Sequence, residues 1–311
     1  MSNKPSEFVI TDSQVHFWQP HSEARPWPAD QLHSKSFLTV PGARAHRAEP
    51  VTPQEFLAVM DACGVQRAVI VPPSPVGDNN DYALESAALC PDRLGIMGRF
   101  DPSLPDARKS LEGWRLRPSM LGIRMTWYKP KWSQWLDDGS IEWFWEGCQR
   151  LGIPVMMLMP GMLDKLPRLA SRYPDLTLII DHMGRASQLR DDECFADLDE
   201  MLAFARFPNV SVKASAAPCY STQPYPFANL RPYLERIFDA FGPSRLMWGS
   251  DYSRLPCTYA ECIDHFTRTL DFLGPEDKEW VMGRTLEKLL RWPVAAALQV
   301  GSRPPTKRST S

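Results

Sequence analysis

Short apolar runs alternate with amphipathic stretches along the chain. The apolar runs predict buried strands at 8–10, 67–71, 94–97, 121–125, 154–159, 176–180, 210–213 and 245–248. The stretches between them predict helices at 53–62, 82–89, 107–114, 142–151, 162–172, 194–206, 226–241 and 259–273. Eight such β–α units without a break in composition favour one α/β domain over residues 1–300, a (β/α)8 barrel of the TIM type. An open, doubly wound parallel sheet is the alternative.

Two regions fall outside this alternation. Residues 19–51 follow the first predicted strand and are rich in Pro, His and Arg. A long loop at this place lies at the rim of a barrel, where it would serve as a lid or a substrate-binding loop. Residues 301–311 are polar and basic, and we expect this tail to be disordered.

Composition excludes several classes of function. The 35 basic and 37 acidic residues give a net charge of −2, so no nucleic-acid partner is expected. No apolar run approaches about 18 residues and the N-terminus does not resemble a signal peptide, which predicts a cytoplasmic protein without a membrane partner. The seven cysteines show no CxxC spacing, so we expect reduced thiols.

Polar side chains follow five of the eight predicted strands. These groups are Gln14 with His16, Arg124, Asp181 with His182, Lys213, and Asp251. Each has an ordinary structural explanation on its own, such as helix capping or an ion pair. Because the carboxyl ends of barrel strands meet at one face, their joint position predicts an active site there.

The spacing of Gln14 and His16 bears on the mechanism. In an extended chain these two side chains point to the same side. Two imidazoles at this spacing could bind a divalent metal, but an amide is a poor zinc ligand. The pattern therefore indicates a metal-site scaffold that lacks one ligand. A strand-end histidine satisfied by hydrogen bonds is the alternative.

Three motifs resemble the amidohydrolase superfamily. They are Asp12-x-x-x-His16-Phe-Trp, Asp181-His182-Met-Gly and the stretch 245–251, which reads Arg-Leu-Met-Trp-Gly-Ser-Asp. Together they resemble the amidohydrolase 2 branch, with its pyrone-dicarboxylate and sugar lactonases, over roughly residues 8–292. The resemblance implies a distorted barrel, hydrolysis of lactones, and an aspartate after the eighth strand that activates water. That aspartate would be Asp251, and His182 would be the sixth-strand histidine.

Two departures from the family pattern favour hydrolysis without a metal or other cofactor. Gln14 stands where metal-dependent relatives have histidine, and methionines occupy the fifth strand, where many have a ligand. Asp251 would then accept a proton from water, and Gln14 would orient that water or donate to the lactone carbonyl through its amide. His16, His182 and Arg124 would stabilise the oxyanion. If a metal binds, one zinc or manganese ion on His16, His182 and Asp251 is the alternative.

Basic residues near the predicted rim indicate a carboxylated or otherwise polar small-molecule substrate. The candidate contacts are Arg124, Lys213, Arg99, Asn80, Arg47 and Tyr128. Helix capping, solvation or ion pairing is the alternative for each. A homodimer is the default if the protein forms oligomers. Two other functions stay open, a metal-dependent decarboxylase or C–C hydrolase and a catalytically inactive barrel that binds a small molecule.

Overall fold

Eight parallel strands form the centre of the fold. They are β1 (Thr11–Val15), β2 (Arg67–Ile70), β3 (Leu94–Arg99), β4 (Met120–Thr126), β5 (Val155–Leu158), β6 (Leu178–Ile180), β7 (Val210–Ser215) and β8 (Leu246–Gly249). The computed structural model describes residues 8–28, 47, 49–127 and 130–292. Each strand pairs in parallel with the next one along the chain, in the order β1 to β8. This order confirms the (β/α)8 barrel, because in a doubly wound sheet the spatial order of the strands does not follow their order in the chain but reverses at a switch point.

Side chains and backbone together close the barrel between β8 and β1. The Asp251 amide donates to the Gln14 carbonyl at 3.0 Å. The Ser250 amide and hydroxyl donate to the Asp12 carboxylate at 2.8 and 2.5 Å, and the Tyr259 hydroxyl donates to it at 3.0 Å. Burial raises the pKa of Asp12 to about 6 despite these donors. Asp12 of the first motif therefore joins the two strands.

Helices surround the barrel. They are α1 (Pro53–Cys63), α2 (Asp81–Leu89), α3 (Ala107–Glu112), α4 (Pro130–Asp138), α5 (Glu142–Leu151), α6 (Leu166–Arg172), α7 (Asp191–Cys194), α8 (Leu198–Leu202), α9 (Arg231–Phe241), α10 (Tyr259–Asp264), α11 (Pro275–Glu279) and α12 (Thr285–Leu290). Helix α1 begins as its sequence predicts, because the Thr52 hydroxyl accepts from the Glu55 amide at 3.2 Å. It ends at Gly64 in the left-handed conformation, with φ 69°.

Several predicted elements differ from the structure. The first strand spans Thr11–Val15 rather than 8–10. Four of its five residues, Thr11 to Gln14, are polar although they are buried, so a pattern of apolar residues does not reveal this strand. The helix predicted at 194–206 is broken into shorter turns, and the one predicted at 259–273 continues after α10 as a π-helix, His265–Thr269. Helices α4, α11 and α12 were not predicted.

The two irregular regions are described only in part. Of the loop 19–51, residues 29–46 and 48 lie outside the described residues, as does the tail 301–311. The lid and the disordered tail therefore stay predictions. No helix in the described ranges is long and apolar enough to cross a membrane. All seven cysteines are free thiols, as expected.

A buried histidine outside the barrel predicts how stability depends on pH. His265 is 0% exposed and lies between the rings of Phe227 and Phe266, with both centroids 5.4 Å away. Burial lowers its pKa to about 4. Between pH 6.5 and 4 the unfolded state therefore binds more protons, and stability falls as pH decreases.

Replacing His265 with phenylalanine removes this proton uptake. We expect the wild type to lose about 2 kcal/mol more unfolding free energy than His265→Phe between pH 7 and pH 5. Urea denaturation at both pH values measures the difference. Equal losses in the two proteins would show that the imidazole is not kept neutral by its surroundings.

Candidate active site

A cavity of about 710 Å³ opens at the carboxyl ends of the strands. Four residues predicted for catalysis or for binding the substrate carbonyl line it, and they are His16, Arg124, His182 and Asp251. They come from β1, β4, β6 and β8 or from the residues directly after them. The cavity is thus placed where barrel enzymes carry their active sites.

Asp251 lies at the bottom of the cavity and is 1% exposed. Its backbone takes a left-handed turn directly after β8, with φ 53°, a conformation that aspartate tolerates better than most residues. One carboxylate oxygen is 3.2 Å from His16 Nε2. The other is 3.9 Å from His182 Nε2 and accepts from Arg254 Nη1 at 3.2 Å. A carboxylate facing two imidazoles can exchange protons with a bound water or substrate.

Hydrogen bonds fix the orientation of the His16 ring. Its Nδ1 is 2.6 Å from the Val71 carbonyl oxygen, which can only accept, so Nδ1 carries a hydrogen. In the neutral ring Nε2 is then the acceptor. The amide nitrogen of Gln14 lies 3.1 Å from it and donates. The predicted proximity of Gln14 and His16 is confirmed.

His182 is held as a neutral imidazole. Its backbone is also left-handed, with φ 51°, and this turn after β6 aims the ring into the cavity. The Ser215 hydroxyl oxygen is 2.8 Å from Nδ1. Burial lowers the pKa of His182 to about 3. When Ser215 donates to Nδ1, the His182 Nε2–H is free to donate towards Asp251 or a ligand.

A buried ionic cluster lies beside these residues. Asp181 is 2.9 Å from Lys213 Nζ through one oxygen and 3.0 Å from Arg124 Nε through the other. Burial opposes ionisation of Asp181, but the two cations hold its pKa well below the usual range. Lys213 also donates a short hydrogen bond to the side-chain oxygen of Gln14. Arg124 donates to the Thr126 hydroxyl at 2.6 Å.

The predicted substrate contacts divide into three groups. Arg124 and Arg47 line the cavity, whereas Tyr128 lies outside the described residues. The described lining does not include Gln14, Lys213, Arg99 or Asn80. Asn80 exchanges two hydrogen bonds with the Arg99 backbone, at 2.7 and 2.8 Å, and so ties α2 to β3. Lys213 is 0% exposed, because it is enclosed by Asp181 and Gln14.

Sequence reasoning missed three arginines of the cavity wall, Arg185, Arg190 and Arg254. With Arg47 and Arg124 they make five, while Asp251 is the one acidic residue in the described lining. Arg190 donates to two backbone carbonyls, at 2.8 and 2.7 Å, which position its charge without neutralising it. The other four arginines pair with carboxylates: Arg47 with Glu55, Arg124 with Asp181, Arg185 with Asp197 and Arg254 with Asp251. Each of the three missed arginines lies within a few residues of the sixth- or eighth-strand motif in the sequence, and this proximity could have predicted that they line the cavity.

The donor set fits a divalent metal poorly. Across the residues that the structure describes, no group of three or more His, Cys, Asp and Glu side chains could hold a metal ion. Gln14 turns its amide nitrogen towards His16, and an NH₂ group cannot act as a ligand. Its oxygen accepts from Lys213 instead.

Comparison with known sequences identifies the family. The sequence model of the family described as Amidohydrolase (Amidohydro_2) matches residues 11–292. The chain therefore belongs to this amidohydrolase family, as its three motifs suggested.

The individual relatives described next share between 20% and 27% of their residues with this chain. The L-fucono-1,5-lactonase of Burkholderia ambifaria is 27% identical over 290 residues, which cover 88% of this chain and 92% of the relative. The 4-sulfomuconolactone hydrolase of Hydrogenophaga intermedia is 24% identical over 64% of each chain. The solved structure of an amidohydrolase from Burkholderia multivorans with bound zinc has a TM-score of 0.72 and 20% identity, over 92% of this chain and all of that one. The two sequence relatives are both lactone hydrolases.

Proposed function

We propose that this protein hydrolyses an anionic lactone, with Asp251 activating the water and without an essential metal. The observation that carries the proposal is the position of Asp251, between two imidazoles at the bottom of a cavity lined by five arginines. Similarity to two lactone hydrolases supports the reaction class. The identity of the acyl and alcohol parts of the substrate is set by the walls of the cavity.

The reaction consumes one water, and the proton that Asp251 takes from this water is later transferred to the leaving alcohol. Asp251 accepts a proton from the water as its oxygen attacks the lactone carbonyl carbon. His182 Nε2–H and Arg124 stabilise the oxyanion of the tetrahedral intermediate, which one well-placed donor stabilises by about 3–4 kcal/mol. The ring C–O bond then breaks, and the leaving alcohol oxygen takes the proton from Asp251. The product is a hydroxy acid that ionises at neutral pH.

The hydrogen-bond pattern changes the role expected for His16. Its Nε2 accepts from Gln14 and faces the Asp251 carboxylate, so in the neutral ring it cannot donate to an oxyanion. At 3.2 Å from the Asp251 oxygen, Nε2 leaves no room for a water between the two groups, so we assign His16 to positioning the carboxylate. Gln14 acts through His16, because its side chain is 0% exposed.

The charge of the cavity favours an anionic substrate over a neutral sugar lactone. Arginines bind carboxylate and sulfonate groups through charge-assisted, often bidentate hydrogen bonds. Arg190 is held by two backbone carbonyls, so its positive charge is available to an acid group of the substrate, which a neutral sugar lactone lacks. This argues that the substrate carries an acid group, as in the muconolactone relative, which is named for a sulfonated lactone.

A lactone panel tests the proposal. Carboxylated and sulfonated lactones and neutral sugar lactones are incubated with the dialysed protein, with and without a chelator, and acid release is followed with a pH indicator. We expect turnover of an anionic lactone that the chelator leaves unchanged. Loss of turnover with the chelator and recovery with zinc or manganese would refute metal independence. Carbon dioxide release from an aromatic acid would favour the decarboxylase instead.

Arg190 offers a test of the charge argument. We expect Arg190→Ala to raise KM for the anionic lactone about 10-fold or more, since a hydrogen bond to a charged group contributes about 1.5–3 kcal/mol. The value of kcat should change little. Arg206→Ala is the matched control, because Arg206 is exposed and packs on Phe207 outside the cavity. Equal KM values for Arg190→Ala and wild type would remove Arg190 from the substrate site.

A further inference from the structure

Lys213 makes one contact more than a structural ion pair requires. Its partner Asp181 is already neutralised by Arg124 at 3.0 Å. A second buried cation beside that pair carries a desolvation cost, which an apolar side chain of similar length would avoid. The additional contact is the short hydrogen bond from Lys213 to the Gln14 side-chain oxygen. Met156 Sδ, at 3.4 Å from Nζ, completes its surroundings.

This contact determines which way the Gln14 amide faces. Lys213 can only donate, so the Gln14 atom beside it is the oxygen, and the NH₂ group must face His16. Because His16 Nδ1–H already donates to the Val71 carbonyl, the lone pair of Nε2 is the one position left for a metal. The amide hydrogen of Gln14 occupies that lone pair.

We propose that Lys213 is a positioning residue that excludes divalent metal from this site, by fixing Gln14 as a donor to His16 and by placing the ammonium that pairs with Asp181 behind it. The inference deepens the proposed function, since it explains how the site would work without metal. Substituting histidine at position 14 would then not by itself create a metal site, because the ammonium group would lie within hydrogen-bond distance of the new imidazole.

Zinc binding tests this without reference to turnover. The full-length protein and the variants Gln14→His, Lys213→Met and the double variant Gln14→His/Lys213→Met are titrated with zinc chloride by calorimetry. We expect no stoichiometric binding to the wild type or to Lys213→Met, and weak binding to Gln14→His. The double variant should bind one zinc ion about 100-fold more tightly than Gln14→His, a change at the upper end of effects from residues behind metal ligands. Cobalt absorption bands provide an independent readout of ligation.

Two further variants separate charge from packing. Gln14→His/Lys213→Arg keeps a cation and should bind zinc as poorly as Gln14→His, while Met156→Leu alone should leave the wild-type behaviour unchanged. Circular dichroism shows whether each variant folds, and Gln14→His/Lys213→Gln replaces the double variant if methionine is not tolerated. Stoichiometric zinc in the wild type, or equal zinc affinity in Gln14→His and the double variant, would overturn the inference. Either result would leave the lactone assignment to be decided by the substrate panel.

Discussion

Asp251→Asn is expected to reduce kcat for lactone hydrolysis by about 10²–10⁴-fold, the range that a positioned general base contributes. The substitution keeps the shape of the side chain but removes the group that accepts the proton from water. Asparagine also tolerates the left-handed backbone at this position, where φ is 53°. The amide hydrogen bond to the Gln14 carbonyl, which helps to close the barrel, is preserved as well.

Single-turnover and steady-state assays with the lactone found in the panel measure this loss. KM should change less than kcat, because the arginines that hold the substrate are retained. Asp239→Asn is the matched control, since Asp239 is exposed on α9. If Asp251→Asn hydrolysed the lactone within about threefold of the wild-type rate, Asp251 would not be the base, given the size of general-base effects.

The positions of Asp251 and His182 could be predicted because parallel strands impose them. Each follows a short apolar strand, and in a barrel all strand ends converge on one face. The sequence pattern therefore found the residues that meet at the bottom of the cavity, although they lie far apart in the chain. Arg124 was found in the same way, because it lies in the carboxyl-terminal half of β4.

Contacts within the site could not be predicted in the same way. Lys213 lies on β7 and looked like a substrate anchor, but side-chain packing turns it towards Asp181 and Gln14. Arg99 has the same strand-end position and instead pairs with Asp78 and Thr126. Strand periodicity gives the face of a side chain and not its partner, and these long side chains each have several partners within reach. Only the three-dimensional arrangement distinguishes an anchor from an ion pair.

Asp12 illustrates the other limit. Its carboxylate lies in a buried strand, where an apolar residue would be expected, and it accepts four hydrogen bonds from Gln14, Ser250 and Tyr259. Ser250 and Tyr259 are far from it in the sequence. A buried polar group is satisfied by partners that a linear pattern does not reveal. The same missing information placed the first strand three residues too early.

Asp181→Asn should cause the largest loss of stability of any single substitution at this site, about 3–5 kcal/mol of unfolding free energy. Asp181 is 1% exposed and is the shared partner of Lys213 and Arg124, whose side chains are also buried. Removing its charge leaves two cations next to each other in the barrel. Urea denaturation at pH 7 measures the loss, and Glu112→Gln is the control. Glu112 pairs with Arg150 at the surface, where both side chains are more than half exposed, so that change should cost less than about 1 kcal/mol.

Removing one of the two cations should recover part of this loss. In Asp181→Asn/Lys213→Met a single cation, Arg124, stays buried, so we expect the double variant to be more stable than Asp181→Asn alone. That result would separate electrostatic strain from lost packing, because the double variant also loses the Lys213 contacts. If the two substitutions destabilised additively, the cluster would not act as one charged unit. If the charges are coupled, Lys213→Met should instead stabilise the Asp181→Asn variant. The ammonium that stabilises Asp181 in the wild type repels Arg124 once the carboxylate is gone.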